Sequence, residues 1–291
     1  MNKSIHLIIL TLLVFLYTLV LAGCSYNKTD PNKNKLLVAV SIVPQKTFVE
    51  AVCGDYADVV VMIPPGNSPA NYEPSPKIIE NFYDASIYFS IGVNTEKENI
   101  MPIAKEIENL KIVNLHEEVA KDHSERELPS GGRDPHIWLS PKRVKAMINI
   151  ISHEMGLIDP NNKQKYENNA QNYINKLDEL DKSLKEIFDS TSQKSFIVFH
   201  PAFGYLADDY GLNMYALEHE GKKATPQRIN ELIDLAKKEN IKVLFYQAEI
   251  SNKQAQAFVR EIDGKSVMLS PLSPDYIENM KTMAKLIGDV Y

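Results

Sequence analysis

The chain has 291 residues, 44% hydrophobic and 24% charged, which excludes a disordered, collagen-like or multi-pass membrane protein. Its 32 Lys+Arg against 38 Asp+Glu leave a net charge of −6, so no bulk basic surface is present to bind nucleic acid. Two cysteines, Cys24 and Cys53, are too few for a disulfide framework or a four-cysteine metal cluster.

A lysine at position 3, an apolar run over 5–22 and the small-residue ending Leu21-Ala22-Gly23-Cys24 describe a secretory signal over residues 1–23. The run is also marginally long enough for a membrane anchor. Its ending resembles the bacterial lipobox, which implies cleavage before Cys24 and acylation of the Cys24 sulfur. The mature chain is then expected on the extracytoplasmic face of a bacterial cell membrane, held by lipid. Residues 24–35 are polar and aperiodic, as a tether would be. Cys53 follows Phe48-Val49-Glu50-Ala51-Val52 and reads as a buried small hydrophobe.

From residue 36 onward, short β-rich runs recur at 36–43, 58–63, 86–91 and 111–115, then at 195–199, 213–217, 242–246 and 266–269. They are continuously apolar, the pattern of strands covered on both faces. Helical patterns at 45–53, 75–83, 96–108, 227–240 and 252–263 separate most of them. Strands alternating with helices predict an α/β fold with two lobes, each a parallel four-stranded sheet flanked by helices. The expected boundaries are an N-terminal lobe over 36–158 and a C-terminal lobe over 191–291.

Between the lobes, residues 159–190 predict one long, rigid linking helix. Tyr166, Ala170, Tyr173, Leu177, Leu180, Leu184 and Ile187 alternate spacings of four and three, which is one helix face. Asp159-Pro160 offers a capping carboxylate and a proline at the first helical position. A rod of about 28 residues is about 40 Å long and resists hinging, so limited closure is expected. The same stripe also fits a partner-binding coiled coil.

Two histidines have informative surroundings. His136 lies in Asp134-Pro135-His136-Ile137-Trp138-Leu139-Ser140-Pro141, and His200 follows the buried run Phe196-Ile197-Val198-Phe199. Asp275, in Ser270-Pro271-Leu272-Ser273-Pro274-Asp275-Tyr276, follows another strand, as does the proline-rich loop over 64–76. In open α/β sheets the crevice beyond the strand ends binds ligands, and imidazole with carboxylate suits zinc or another transition ion. Each position alone also fits a structural role: a strand-end histidine is often a hydrogen-bonding residue, and Asp275 is placed to cap the last helix.

These motifs, in this order from residue 36 to 291, resemble the ZnuA/TroA-like zinc- and manganese-binding lipoproteins that feed ABC importers. The resemblance rests on Ser41-Ile42-Val43-Pro44, the Pro-Gly loop and the His136 and His200 segments. It also includes Glu220-Gly221-Lys222, Pro271-Leu272 and Asp275-Tyr276. It implies a two-lobed fold joined by one long helix, with His136, His200 and Asp275 on three of the four metal-ligand positions. Zinc is the expected cargo and manganese the alternative. An ABC transporter permease is the expected partner, and the protein itself a monomer and not an enzyme. The family's first ligand is a loop histidine, but this sequence reads Pro69-Ala70-Asn71-Tyr72-Glu73-Pro74, and Ala70 cannot coordinate. Gln247 stands where the family carries an acidic residue, with Glu249 two residues on. Three protein ligands and an opening for water are therefore expected. A degenerate site would instead suit a binding or adhesion lipoprotein for another solute.

The segment before His136 holds His116 and His123 among acidic residues and reads as a solvated acidic loop. No His-Glu-x-x-His, Gly-x-Ser-x-Gly, P-loop or dinucleotide fingerprint occurs.

Overall fold

The computed structural model describes residues 35–128, 131–218, 224–248 and 253–289; the expected signal, Cys24 and most of the tether lie outside them. Strand β1 (Leu36–Val40) forms a sheet with β2 (Ala57–Val61), β3 (Ile87–Ser90) and β4 (Lys111–Asn114) in the order β2-β1-β3-β4. A second sheet repeats that order with β5 (Ser195–Val198), β6 (Asn213–Ala216), β7 (Val243–Gln247) and β8 (Lys265–Leu269) as β6-β5-β7-β8. Every pairing is parallel. The inner strands β3 and β5 are buried along their whole length, which is why they read as continuous apolar runs.

The first lobe carries α1 (Val43–Cys53), α2 (Pro76–Tyr83), the short α3 (Met101–Ala104) and α4 (Leu115–Ala120). Then come α5 (Pro141–Ile158) and the rod α6 (Lys163–Ser190). The second lobe carries α7 (Gly204–Tyr210), α8 (Pro226–Lys238), α9 (Lys253–Glu261) and α10 (Tyr276–Gly288). Two expected elements are shorter than their apolar patterns suggest. The first strand stops at Val40 because the buried Gln45 side chain accepts the Ser41 and Ile42 amides, each at 3.0 Å, and starts α1. The helix expected over 96–108 is a π-helical turn, Glu96–Ile100, followed by α3. There Glu96 turns back to accept the Ile91 and Gly92 amides at 2.7 and 2.5 Å, and Pro102 supplies no amide hydrogen.

Helix α6 spans 28 residues, about 42 Å at 1.5 Å per residue. Its buried stripe is Tyr166, Ala170, Tyr173, Leu177, Leu180, Leu184 and Phe188, so Phe188 takes the last place expected of the half-buried Ile187. A strict 3.5-residue spacing drifts off a 3.6-residue helix, and a step of four restores the seam. Asp159 does not cap the α6 amides. Its carboxylate instead accepts the Tyr166 hydroxyl at 2.8 Å and the Asn162 amide at 2.6 Å, and a single 3-10 turn, Pro160–Asn162, precedes the helix.

One hydrophobic core runs through both lobes. It joins Val38, Phe89 and Trp138 to the α6 stripe and on to Phe196, Tyr205, Phe245 and Tyr276. Such a shared core ties the lobes together and leaves little scope for wide hinging. Cys53 lies in it, and burial, reinforced by the charge of Asp159, pushes its thiol pKa up to about 12. Among the described residues, no helix is long and apolar enough to cross a membrane.

Candidate metal centre

His136 is presented by a tight turn held by Asp134. One oxygen of the buried Asp134 carboxylate accepts the His136 amide at 3.0 Å and faces His136 Nδ1 at 2.7 Å. Its other oxygen accepts from Arg126 Nη1 at 3.1 Å. The short Ile137–Leu139 turn follows and buries Trp138, whose indole N–H donates to the Pro271 carbonyl at 3.0 Å across the lobes. His200 comes from the other lobe, two residues beyond β5. Its Nδ1 lies 2.7 Å from the Glu218 carboxylate, which stands beyond β6.

The two imidazoles meet edge to face with their Nε2 atoms 3.2 Å apart. A carboxylate accepts only, so each Nδ1 carries a proton, and in the neutral form of each ring Nε2 keeps its lone pair. With both rings neutral, the facing nitrogens have no hydrogen to share and repel one another until a cation stands between them. Two nitrogens bound to one tetrahedral zinc at about 2.0–2.1 Å are about 3.3 Å apart, so the pair already has the spacing that the ion requires. Burial first, then the repulsion that charging both His136 and His200 would create and the Arg133 charge, holds the His136 pKa below its usual value against the opposing pull of Asp134. Burial raises the Asp134 pKa, but the bonds from His136 and the Arg126 charge outweigh it and hold the carboxyl below its usual range. His136 is thus neutral and Asp134 anionic at neutral pH, the states a metal ligand and its support need.

Arg126 ties the His136 support, Asp134, to the second lobe. Its Nε donates to Asp208 on α7 at 3.0 Å, and its backbone N–H donates to the Tyr205 hydroxyl at 2.8 Å. The guanidinium lies flat against Gly204, where an added Cβ would meet it at 2.4 Å. Ser140, Lys142 and Arg143, at the start of α5, gather around Asp209 on the same helix α7.

Of the residues singled out in the sequence, His136 and His200 are brought together. Asp275 is exposed at the N-terminus of α10 and makes no side-chain cap. Among the described residues, no group of three His, Cys, Asp or Glu side chains converges. Ala70, Asn71 and Glu73 are exposed on the 64–76 loop. That loop is pinned by Tyr72 N–H to Thr95 Oγ1 at 3.0 Å and by Asn99 to the Tyr72 carbonyl at 2.8 Å. His116 lies on helix α4 and not in a solvated loop; burial first, then the Arg133 charge, pushes its pKa down to about 4. Glu249 and the Glu220-Gly221-Lys222 turn lie outside the described residues. Sequence reasoning missed three supports: Asp134, Glu218 and Arg126. Asp134 was within reach, because an Asp two residues before a histidine is an Asx-turn pattern. Glu218 and Arg126 carry no local signal.

Two parallel α/β lobes bridged by one long helix, with a ligand-ready histidine pair between them, define a helix-bridged two-lobed binding protein. Residues 38–290 match the model of ZnuA, zinc-uptake complex component A, periplasmic, and the chain belongs to that family. The high-affinity zinc uptake system protein ZnuA of Bacillus subtilis strain 168 is 31% identical over 274 residues, covering 87% of this chain and 85% of that protein. The zinc-binding lipoprotein AdcA of Streptococcus pneumoniae strain R6 is 32% identical over 275 residues, covering 90% of this chain and 54% of AdcA. The chain thus spans about half the length of the curated streptococcal AdcA proteins it matches. A zinc-bound ZnuA deletion mutant shares the fold with a TM-score of 0.82 at 34% identity, covering 87% of this chain and 97% of that structure.

Proposed function

We propose that this chain captures a divalent transition metal outside the membrane and delivers it to the permease of an ABC importer. Zinc is the favoured cargo, because imidazole nitrogen suits zinc better than it suits manganese. The observation that carries this reading is the facing pair of imidazole Nε2 atoms, 3.2 Å apart, each ring backed at Nδ1 by a carboxylate. Asp275 supplies an oxygen ligand once the ion is bound, by a shift of the Ser270–Tyr276 loop. Lipid on Cys24 holds the protein at the extracytoplasmic face, where it acts as a monomer and turns over no substrate.

Native mass spectrometry of the chelator-treated protein, titrated with zinc and with manganese, tests the reading. One zinc per chain at micromolar concentration is expected, lost in His136→Ala and His200→Ala and weakened in Asp275→Ala. Absence of uptake of either ion by the unaltered chain refutes it.

A further inference from the structure

Strands β5, β6 and β7 carry their register past their own ends. Val198 pairs with Ala216 on one side and Phe245 on the other. The ladder continues with Phe199 N–H to the Phe245 carbonyl at 2.7 Å and Glu218 N–H to the Phe199 carbonyl at 2.8 Å. Two residues beyond the paired Val198, this register sets Glu218, His200 and Gln247 in one row across the sheet. Alternation puts all three on the face that carries Val198, Ala216 and Phe245. The row stands between β5 and β7, where the strand order reverses and open α/β sheets bind their ligands.

Glu218 occupies one flank of His200 and accepts the hydrogen bond from its Nδ1–H. The β5–β7 register sets Gln247 on the other. It is only 7% exposed, and among the described residues nothing accepts from its Nε2. A buried amide donor without an acceptor requires an explanation, such as an absent ligand that it was placed to hold. The coordination arithmetic points the same way. A four-coordinate ion between His136 and His200 needs two more donors, Asp275 can provide one, and the Ala70 methyl provides none.

We propose that the Gln247 amide holds a small oxygen ligand that completes the coordination of the captured metal, so that the cleft takes up a metal–oxygen-ligand pair and not a bare ion. This rests on the metal-capture reading. The donor selects an atom with a free lone pair, and the positive ion selects an anionic one: a carboxylate, or hydroxide from water. Gln247 is itself neutral, so the charge it leaves unsupplied is the charge such a ligand brings.

The test measures zinc affinity of the purified full chain by chelator competition, and the visible absorption of its Co²⁺ form, each with and without acetate. In the unaltered chain, acetate is expected to tighten zinc binding and shift the Co²⁺ bands. Gln247→Leu is expected to lose the acetate response and about 10–100-fold in zinc affinity, the usual effect of removing an outer-shell partner. Gln247→Glu brings its own carboxylate, so it is expected to bind zinc at least as tightly as the unaltered chain without responding to acetate. It decides the matter if the leucine variant fails to melt cooperatively. Loss of affinity in Gln247→Leu with no acetate response in the unaltered chain supports the proposal with water as the ligand held. A folded Gln247→Leu that keeps both affinity and acetate response overturns the proposal and leaves metal capture standing. An unaltered chain that takes up neither zinc nor Co²⁺ overturns both.

Discussion

Replacing Asp134 by asparagine keeps the volume of a fully buried side chain and removes its charge. The carboxylate serves the His136 amide and Nδ1 with one oxygen and Arg126 with the other. Asparagine has one oxygen for these donors and must turn an NH₂ towards one of them. Breaking a buried charge pair costs about 3–5 kcal/mol, and the retained oxygen argues for the lower end, about 3 kcal/mol. At about 2–4 °C per kcal/mol for a chain of this size, the melting temperature should fall by about 6–12 °C. Metal binding suffers separately. Once the His136 proton is free to move to Nε2, it can donate to His200 Nε2 at 3.2 Å, and the metal-free pair closes on itself. Zinc must then break that bond, so affinity should fall about 10–100-fold. Chelator competition gives the affinity, calorimetry of the metal-free protein gives the melting shift, and long-range ¹H–¹⁵N spectra of the imidazoles report the tautomer. An Asp134→Asn protein with unaltered zinc affinity and the His136 proton still on Nδ1 would refute the view that this carboxylate sets the ligand.

Arg126→Ala should cost about 3–5 kcal/mol by stranding Asp134, whereas Asp208→Asn, at the exposed end of the same bridge, should cost under about 1 kcal/mol in denaturant unfolding. A double-mutant cycle of Arg126→Ala with Asp134→Asn should show a coupling above about 1 kcal/mol, and strict additivity would rule out a shared network. Stability should fall as pH drops from about 6.5 to about 4, because the folded state holds His116 neutral down to about 4 while the unfolded chain protonates near 6.5. The loss has a ceiling of about 3 kcal/mol, and a His116→Gln variant whose urea midpoint falls as steeply across that range would exclude His116 as the source. Leu180→Ala, at the fully buried middle of α6, should cost about 2–5 kcal/mol in the same assay, and a cost below about 1 kcal/mol would mean that the stripe does not unite the lobes.

Local patterns specified much of this molecule from sequence alone. The apolar runs became eight parallel strands because residues buried on both faces of a sheet must be apolar without interruption. The stripe from Tyr166 to Leu184 became a rod because a 3.6-residue period is set by neighbours one turn away. His136 and His200 were recognisable as candidates from their positions at a turn and beyond a strand. Where a nearby polar side chain or proline competed with the apolar pattern, that pattern misled: Glu96 and Pro102 interrupted an expected helix, and Gln45 cut short a strand. Tertiary structure alone decided what the histidines are. They lie 64 residues apart, and only the common core along α6 brings their nitrogens to 3.2 Å. Glu218 stands behind His200 because β6 pairs with β5, Gln247 flanks it because β7 pairs on the other side, and Arg126 ties the His136 support Asp134 to Asp208 across the lobes. A residue's own neighbours set its helix or strand and its burial pattern, whereas the nitrogen that His200 offers to a metal depends on Glu218, an acceptor that only sheet pairing brings to its other N–H.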